Sequence, residues 1–384
     1  MKVIHSGSCN ILAGGPALST YLTIKGLRNE GVDARLIMEP IIKGNLINDK
    51  LQPYYTSHPI FGSLAYVPKL KELLKRIGLP NLYHIQGIWM LHGFQISKYA
   101  RKYHIPYIVT LRGMLYPQAL NHKKLVKRLS LYAYQNAVLR NAAVIQATCI
   151  EEMEYYRALG FTNPVAVLPN PIEVSYPIVD KLGGEFTFGY LGRLHKRKRV
   201  ERLIYAMNTL KDRLPLNSKV VIIGGGDDEY EAFLKSEVQR LNLDQRVEFK
   251  GFLSGKDKFE AIRKLSVLVV PSDFENFGNI VTEALSLQIP VIASKGMPWQ
   301  ELVEEGCGWW IDNDQNSITN TIWEAYCLGE EKLSRMGIKG QTLVKNNYSV
   351  ESLGKKMVRL YQWVINGGEV PEFVYMINDG GKIH

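Results

Sequence analysis

Along this chain, short apolar runs rich in Val, Ile and Phe alternate with longer stretches whose apolar residues recur every three or four positions. The runs are too short for helices and are bounded by Gly, Pro, Asn and Ser, so they read as buried strands. In the first half they predict strands at residues 2–6, 32–38, 81–86, 107–111, 143–148 and 165–168, with helices at 17–30, 91–103 and 151–159. In the second half the predicted strands are 186–191, 219–223, 246–252, 267–270, 290–294 and 308–311. Helices are expected from Phe277 onward, from about Ser317, and at 350–366, where Leu353, Met357, Leu360, Tyr361 and Val364 fall at helical spacing. Strand and helix in alternation predict parallel sheets covered by helices. The alternation restarts after a turn-rich stretch with Pro177 and Gly183–Gly184, read as a linker between two α/β domains, 1–178 and 179–349. Residues 350–384 add a terminal helix and a tail without pattern after Gly367.

The junction with the most chemistry is SVLVVPSDFENFGNIVTEALSL, residues 266–287. A strand ends at Pro271, and a helix follows, so the turn between them lies where an open α/β sheet binds ligands. Glu275 and Glu283 bracket this helix start with seven residues between them. At about 1.5 Å per helical residue they stand roughly 12 Å apart at most, the scale of a nucleotide-sugar from its sugar to its ribose. The amides of Phe277, Gly278, Asn279 and Ile280 have no intrahelical acceptor, and the dipole there favours an anion such as a diphosphate.

The phrase PSDFENFGNIVTEAL resembles the E-x7-E segment of family 4 retaining glycosyltransferases, bacterial capsule and exopolysaccharide enzymes among them. The resemblance implies two Rossmann-like domains facing each other across a cleft, the GT-B architecture. The first domain would bind the acceptor and the second the nucleotide-sugar, with the terminal helix crossing back to the first. It implies that Glu275 contacts the donor sugar and Glu283 the ribose hydroxyls. The family's Gly-Arg-Leu…Lys-Gly pattern is met by Gly192, Arg193, Leu194 and Lys198, with Arg199 in place of Gly. An Arg fork and a Lys point charge suit a diphosphate, and a basic helix start would otherwise oppose the helix dipole.

Other positions complete the expected site. The Gly14–Gly15 pair opens the first helix, and the resemblance implies that this turn approaches donor phosphate and acceptor. Gly224 belongs to a Gly-Gly-Gly-Asp turn whose missing side chains would admit a nucleotide. Phe252, with Leu253, would lie along the base. Relatives carry His-x-His-Gly and Thr-x-His-Gly after two first-domain strands; here Gln86-Gly87 and Arg112-Gly113 stand there. Arg112 can hold an anionic or hydroxylated group but cannot serve as a base near neutral pH. Asn170 occupies the place of the family's Asn-Gly, with Pro171 after it. Asp312-Asn313-Asp314 has a metal-binding form, but before a helix start it suits Asx-turn chemistry better. No metal and no cofactor are expected, the nucleotide-sugar being a substrate.

Charge adds a partner. Of the net +10, residues 1–178 carry 20 basic against 9 acidic residues, or +11, and the remainder 27 against 28, or −1. Lys69, Lys71, Lys75 and Arg76, then Lys123, Lys124, Lys127 and Arg128, fall in helical stretches with leucines and aromatics between them, as a face against anionic lipid would. No nucleic-acid-binding pattern is visible. Four cysteines without C-x-x-C spacing read as core residues. With no run long enough to span a bilayer and no signal-like start, the expected location is cytoplasmic, peripheral on the inner face of the plasma membrane. The expected activity is transfer of a hexose-type sugar from a UDP- or GDP-sugar to a glycan or polyprenyl-linked acceptor in cell-surface polysaccharide (capsule or lipopolysaccharide) biosynthesis. A non-catalytic assembly partner and an epimerase or phosphorylase on the same architecture are the alternatives.

Overall fold

The computed structural model describes residues 1–174 and 185–377, so the expected linker around Pro177 and Gly183–Gly184 lies outside the described residues. Chain contacts divide the protein into two compact units, one from Met1–Glu173 with the segment starting at Ser349, the other from Val174–Tyr348.

The first unit begins with β1 (Lys2–Ser6), α1 (Gly15–Asn29), β2 (Asp33–Met38), β3 (Tyr54–Tyr55), α2 (Leu70–Ile77), β4 (Leu82–Gln86), α3 (Leu91–Lys102) and β5 (Tyr107–Thr110). It continues through α4 (Pro117–Asn121), α5 (Lys124–Ser130), a π turn, α6 (Asn136–Arg140), β6 (Val144–Ala147), α7 (Ile150–Ala158) and β7 (Val165–Val167). The second unit runs β8 (Thr187–Leu191), α8 (Glu201–Leu210), β9 (Lys219–Ile223), α9 (Asp228–Arg240), β10 (Val247–Gly251) and α10 (Gly255–Arg263). After these come β11 (Val267–Val270), α11 (Asn279–Ser286), β12 (Val291–Ser294), α12 (Glu301–Glu304), β13 (Gly308–Ile311) and α13 (Gln315–Asn347), broken at Gly329. α14 (Val350–Asn366) and β14 (Val374–Tyr375) return to the first unit.

Among the described residues the first sheet has the order β14-β7-β6-β5-β4-β1-β2-β3, parallel except for β14. Leu70, Leu73 and Leu74 of α2, Ile96 of α3 and Met153 of α7 pack with Ile4 and Val109 in one core. Ile24 and Leu27 of α1 pack with Leu353, Met357, Leu360 and Tyr361 of α14 in another. α1 and α14 meet closely because Gly26 and Gly354 are bare: a Cβ on Gly354 would stand 2.9 Å from the Gly26 carbonyl oxygen, and one on Gly26 2.7 Å from that of Val350. The second sheet is parallel throughout, in the order β10-β9-β8-β11-β12-β13, over a core that includes Phe188, Leu203, Val220, Val269 and Ile322.

Several expectations are corrected. The tail is not featureless, since Val374 and Tyr375 pair antiparallel with Ala166 and Val165 and extend the first sheet beyond its expected last strand. β3, two residues long, was too short for any periodicity. The basic run is not a helix start: Lys196–Lys198 form a 3-10 turn, and α8 opens with Glu201, an acidic residue that suits the dipole. The helix expected from Phe277 starts two residues later, with Gly278 as its cap. The helix expected from about Ser317 starts at Gln315 with Asp314 as its cap, the Asp314 carboxylate accepting the Ser317 N–H at 2.9 Å.

Candidate functional site

In the second unit the polar residues gather at the carboxyl ends of β8 and β11. These strands pair directly although β9 and β10 separate them in sequence, so strand order reverses between them, which opens a crevice in such sheets. The two turns that follow are tied together: the Asp273 N–H donates to the Arg197 carbonyl at 2.8 Å, and Arg199 Nε donates to Asp273 Oδ2 at 2.6 Å. This lock brings the Lys198 ammonium onto the Glu275 carboxylate, which also accepts the Ser272 hydroxyl at 3.2 Å. Lys198 is 9% exposed. Burial first, and the Arg197 guanidinium second, draw its ammonium down to about 7, while the Glu275 carboxylate pulls the other way. A cation here therefore depends on an anion beside it, and a diphosphate is a stronger one than a single carboxylate.

Arg193 lies exposed on the same β8 turn, its guanidinium without a hydrogen-bond or ion-pair partner among the described residues. Gly224 lies against that turn. A Cβ on it would stand 1.9 Å from the Gly192 carbonyl oxygen, so glycine is dictated by packing of the two turns as well as by any ligand; of the three, Gly225 alone has open space. α11 has no side-chain hydrogen bond from its cap residue Gly278, and the first amides of a helix have no intrahelical acceptor. The Phe277 ring is core, 5.2 Å from the Trp299 ring and 5.8 Å from that of Tyr348, so Phe277 can offer a ligand its amide but not its ring. Glu283, buried on α11, accepts from Lys258 Nζ of α10 at 2.9 Å. Nothing in the spacing marked Lys258. Phe252, 81% exposed, follows β10 just before that helix. Of the D-x-D pair, Asp312 meets Lys295 at 3.1 Å and Asp314 caps α13. No group of three or more His, Cys, Asp or Glu side chains among the described residues is arranged to hold a metal ion.

In the first unit Arg112 lines a cavity of ≈ 210 Å³, and the Gly14–Gly15 turn adjoins this cavity without lining it. Gly14 (φ +65°) caps α1 and Gly15 opens it; the adjoining Ala13, Pro16 and Thr20 line the cavity with Arg112, Gln86, Glu39 and His92. Arg112 is itself in the left-handed region, φ +55°, which costs a non-glycine about 1 kcal/mol. Its side chain donates to Gln86 Oε1 at 2.6 Å, Ser19 Oγ at 2.9 Å, Thr20 Oγ1 at 3.1 Å and Asn170 Oδ1 at 3.4 Å, all neutral acceptors. The balancing carboxylate is one layer away: buried Glu152 accepts from the Gly113 amide and from the Thr148 amide and hydroxyl at 2.7 and 2.9 Å. Burial draws Arg112 down to about 10, opposed by Glu152, so it stays a cation at neutral pH. Ser6 Oγ, His92 Nδ1 and Arg112 Nε, all on residues lining the cavity, are buried without a hydrogen-bond partner, although the Glu39 carboxylate stands 4.0 Å from His92 Nδ1. Burial takes the His92 imidazole down to about 4, so it is neutral and offers one donor and one acceptor.

The basic helix α5 presents another feature. Leu125, Leu129 and Tyr132 are 75%, 69% and 90% exposed, with Val126 beside them, among exposed Lys123, Lys124 and Arg128. No helix of the described residues is long and apolar enough to cross a membrane.

Known proteins give context. Residues 176–342 match the family described as glycosyl transferases group 1, and residues 14–171 a glycosyl transferase 4-like domain. An alpha-1,3/1,6-mannosyltransferase ALG2 of Mus musculus is 26% identical over 231 residues, 55% of this chain and 54% of its own. The capsular polysaccharide biosynthesis glycosyltransferase CapM of Staphylococcus aureus is 25% identical over 190 residues, 49% of each chain. The chain thus spans about half the length of the curated relatives it matches. Anabaena Alr3699/HepE in complex with UDP and glucose has the same GT-B fold, with a TM-score of 0.73 at 19% identity over 94% of this chain and 99% of that one.

Proposed function

Because this chain belongs to the group 1 glycosyltransferases, we propose that it transfers a hexose-type sugar from a UDP- or GDP-sugar to a hydroxyl of a glycan or lipid-linked glycan, in cell-surface polysaccharide biosynthesis and with retention of anomeric configuration. The observation that carries this reading is the crevice between β8 and β11, where buried Lys198 meets half-buried Glu275 on turns that also carry exposed Arg193 and the glycine-capped amino end of α11. The diphosphate is held by Arg193, Lys198 and the amides of Phe277 to Ile280. Glu275 takes the donor sugar and Glu283 the ribose, with Gly224 and Phe252 along the nucleoside. The leaving phosphate oxygen takes the acceptor's proton on the face of attack. Catalysis is then stabilisation of the charge that grows on the diphosphate by fixed donors, without a metal. The Gly14–Gly15 turn and Arg112 serve the acceptor side, where the unpartnered Ser6, His92 and Arg112 atoms suit a hydroxylated ring. α5 rests on an anionic bilayer, which supports a lipid-linked acceptor at the cytoplasmic face.

Calorimetry with a panel of UDP- and GDP-sugars tests the reading. One class binds, Arg193→Ala and Lys198→Ala weaken it, and each lowers turnover by about two orders of magnitude or more. A protein that binds neither class, or near-normal turnover in both variants, contradicts it.

A further inference from the structure

Beneath Arg112 a single file of buried hydrogen bonds crosses the first sheet to the C-terminal helix. Gln86 Nε2 meets His5 Nδ1 at 3.2 Å, His5 Nε2 meets the Tyr361 hydroxyl at 3.3 Å, and that hydroxyl meets His84 Nδ1 at 2.6 Å. His84 Nε2 then meets Thr110 Oγ1 at 2.7 Å, Thr110 donates to Gln146 Oε1 at 2.9 Å, and Gln146 Nε2 donates to the Leu168 carbonyl at 3.0 Å.

The proton positions in this file follow from its two ends. Arg112 has donors only, so Gln86 turns its oxygen toward Arg112 and its amide N–H toward His5. His5 Nδ1 must then be bare, and its proton sits on Nε2, donated to Tyr361. From the far end, the Leu168 carbonyl accepts from Gln146, so Gln146 Oε1 accepts from Thr110, and Thr110 accepts from His84 Nε2–H. His84 Nδ1 is bare and accepts the Tyr361 O–H. The Tyr361 hydroxyl satisfies both ends of the file, accepting from His5 and donating to His84. Burial keeps both rings neutral, His5 drawn down to about 3 and His84 well below its ordinary value.

We propose that Tyr361 is a positioning residue: by accepting the His5 Nε2–H while donating to His84 Nδ1 it stabilises the His5 tautomer that the Gln86 amide needs in order to keep its oxygen on Arg112, and so helps hold the Arg112 guanidinium in place on the cavity wall. Without the Tyr361 oxygen, the proton of His5 Nε2 has no acceptor and moves to Nδ1. Nδ1–H then opposes the Gln86 N–H, the amide turns over, and Arg112 faces donors where its shortest acceptor stood. The functional consequence rests on the reading of Arg112 as an acceptor-side cation; the tautomers do not.

The test uses the full chain labelled with 15N in histidine and arginine. In the wild type both His5 and His84 carry their proton on Nε2; a proton on Nδ1 of either overturns the proposal, whatever the variants do. In Tyr361→Phe, His5 becomes Nδ1-protonated and the Arg112 Nε–H resonance moves, and in Tyr361→Phe with Gln86→Glu that resonance returns, because a carboxylate accepts from both neighbours. A mere packing defect would not be repaired by a buried charge, and unchanged resonances in Tyr361→Phe overturn the proposal. In assays the single variant raises the acceptor KM about tenfold, the worth of one hydrogen bond to a charged group, and leaves the donor KM unchanged. A tautomer switch without that rise supports the positioning and refutes the acceptor-side role of Arg112.

Discussion

The first unit buries titratable groups that must stay neutral, and this sets its response to acid. His92 is held at about 4 by burial and unfolds to an ordinary value near 6.5. Between these values the unfolded chain carries more protons than the folded one, so stability falls as pH falls below about 6.5. At pH 5.5 the loss from one such histidine is about 1 kcal/mol relative to pH 7. Urea unfolding of His92→Gln and wild type at both pH values should show this difference shrink in the variant; equal losses would contradict it. Glu39 and Glu152, raised by burial, act in the opposite sense, which is why the comparison is made within one site. Residues of this kind were hard to see in the sequence. Glu275, Lys198 and Arg193 were singled out by motifs that resemble a known family, whereas His5, His84 and Tyr361 look like ordinary members of two strands and a helix. Their meaning arises from contacts spanning up to 356 positions, which no local pattern encodes.

At the scale of elements, the strands were readable because buried parallel strands leave uninterrupted β-branched runs, as in VLVV of β11 and KVVII of β9. The Lys196–Lys198 turn and β14 were not, since a three-residue turn and a two-residue strand have no period. α5 was legible in part: its charge was evident, but only the structure shows that Leu125, Leu129 and Tyr132 face outward with those cations. Each cation near an anionic surface contributes about 1 kcal/mol, so Lys124→Glu with Arg128→Glu should weaken binding to phosphatidylserine-containing vesicles by at least about tenfold, read by co-sedimentation. Leu125→Ser, which removes apolar area without adding charge, should weaken it by a similar factor with little dependence on salt. Binding indifferent to both changes would remove α5 from the proposed membrane face.

For the molecule as a whole, the first unit is discontinuous, closed by a segment that follows the entire second unit. Leu353, Met357, Leu360 and Tyr361 are buried in its core. At about 1.5–3 kcal/mol for each large apolar side chain, these four are worth on the order of 8 kcal/mol, comparable to the whole stability of a domain. A chain ending at Tyr348 should therefore retain protected amides in β8 to β13 and lose them in β1 to β7, as read by hydrogen exchange; protection in both would contradict this. The alternation of strand and helix foretold two sheets, but the return of the terminal segment came from family likeness, because nothing in the pattern of α14 says which sheet it covers.

That return imposes a timetable during synthesis. Domains ordinarily condense in the order in which they leave the ribosome, yet here β1 to β7 wait for a helix made after the whole second unit, while that unit can settle on its own. Until α14 arrives, His5 and His84 lack the Tyr361 hydroxyl that joins them, and a nascent-chain chaperone would find its longest engagement with β1 to β7.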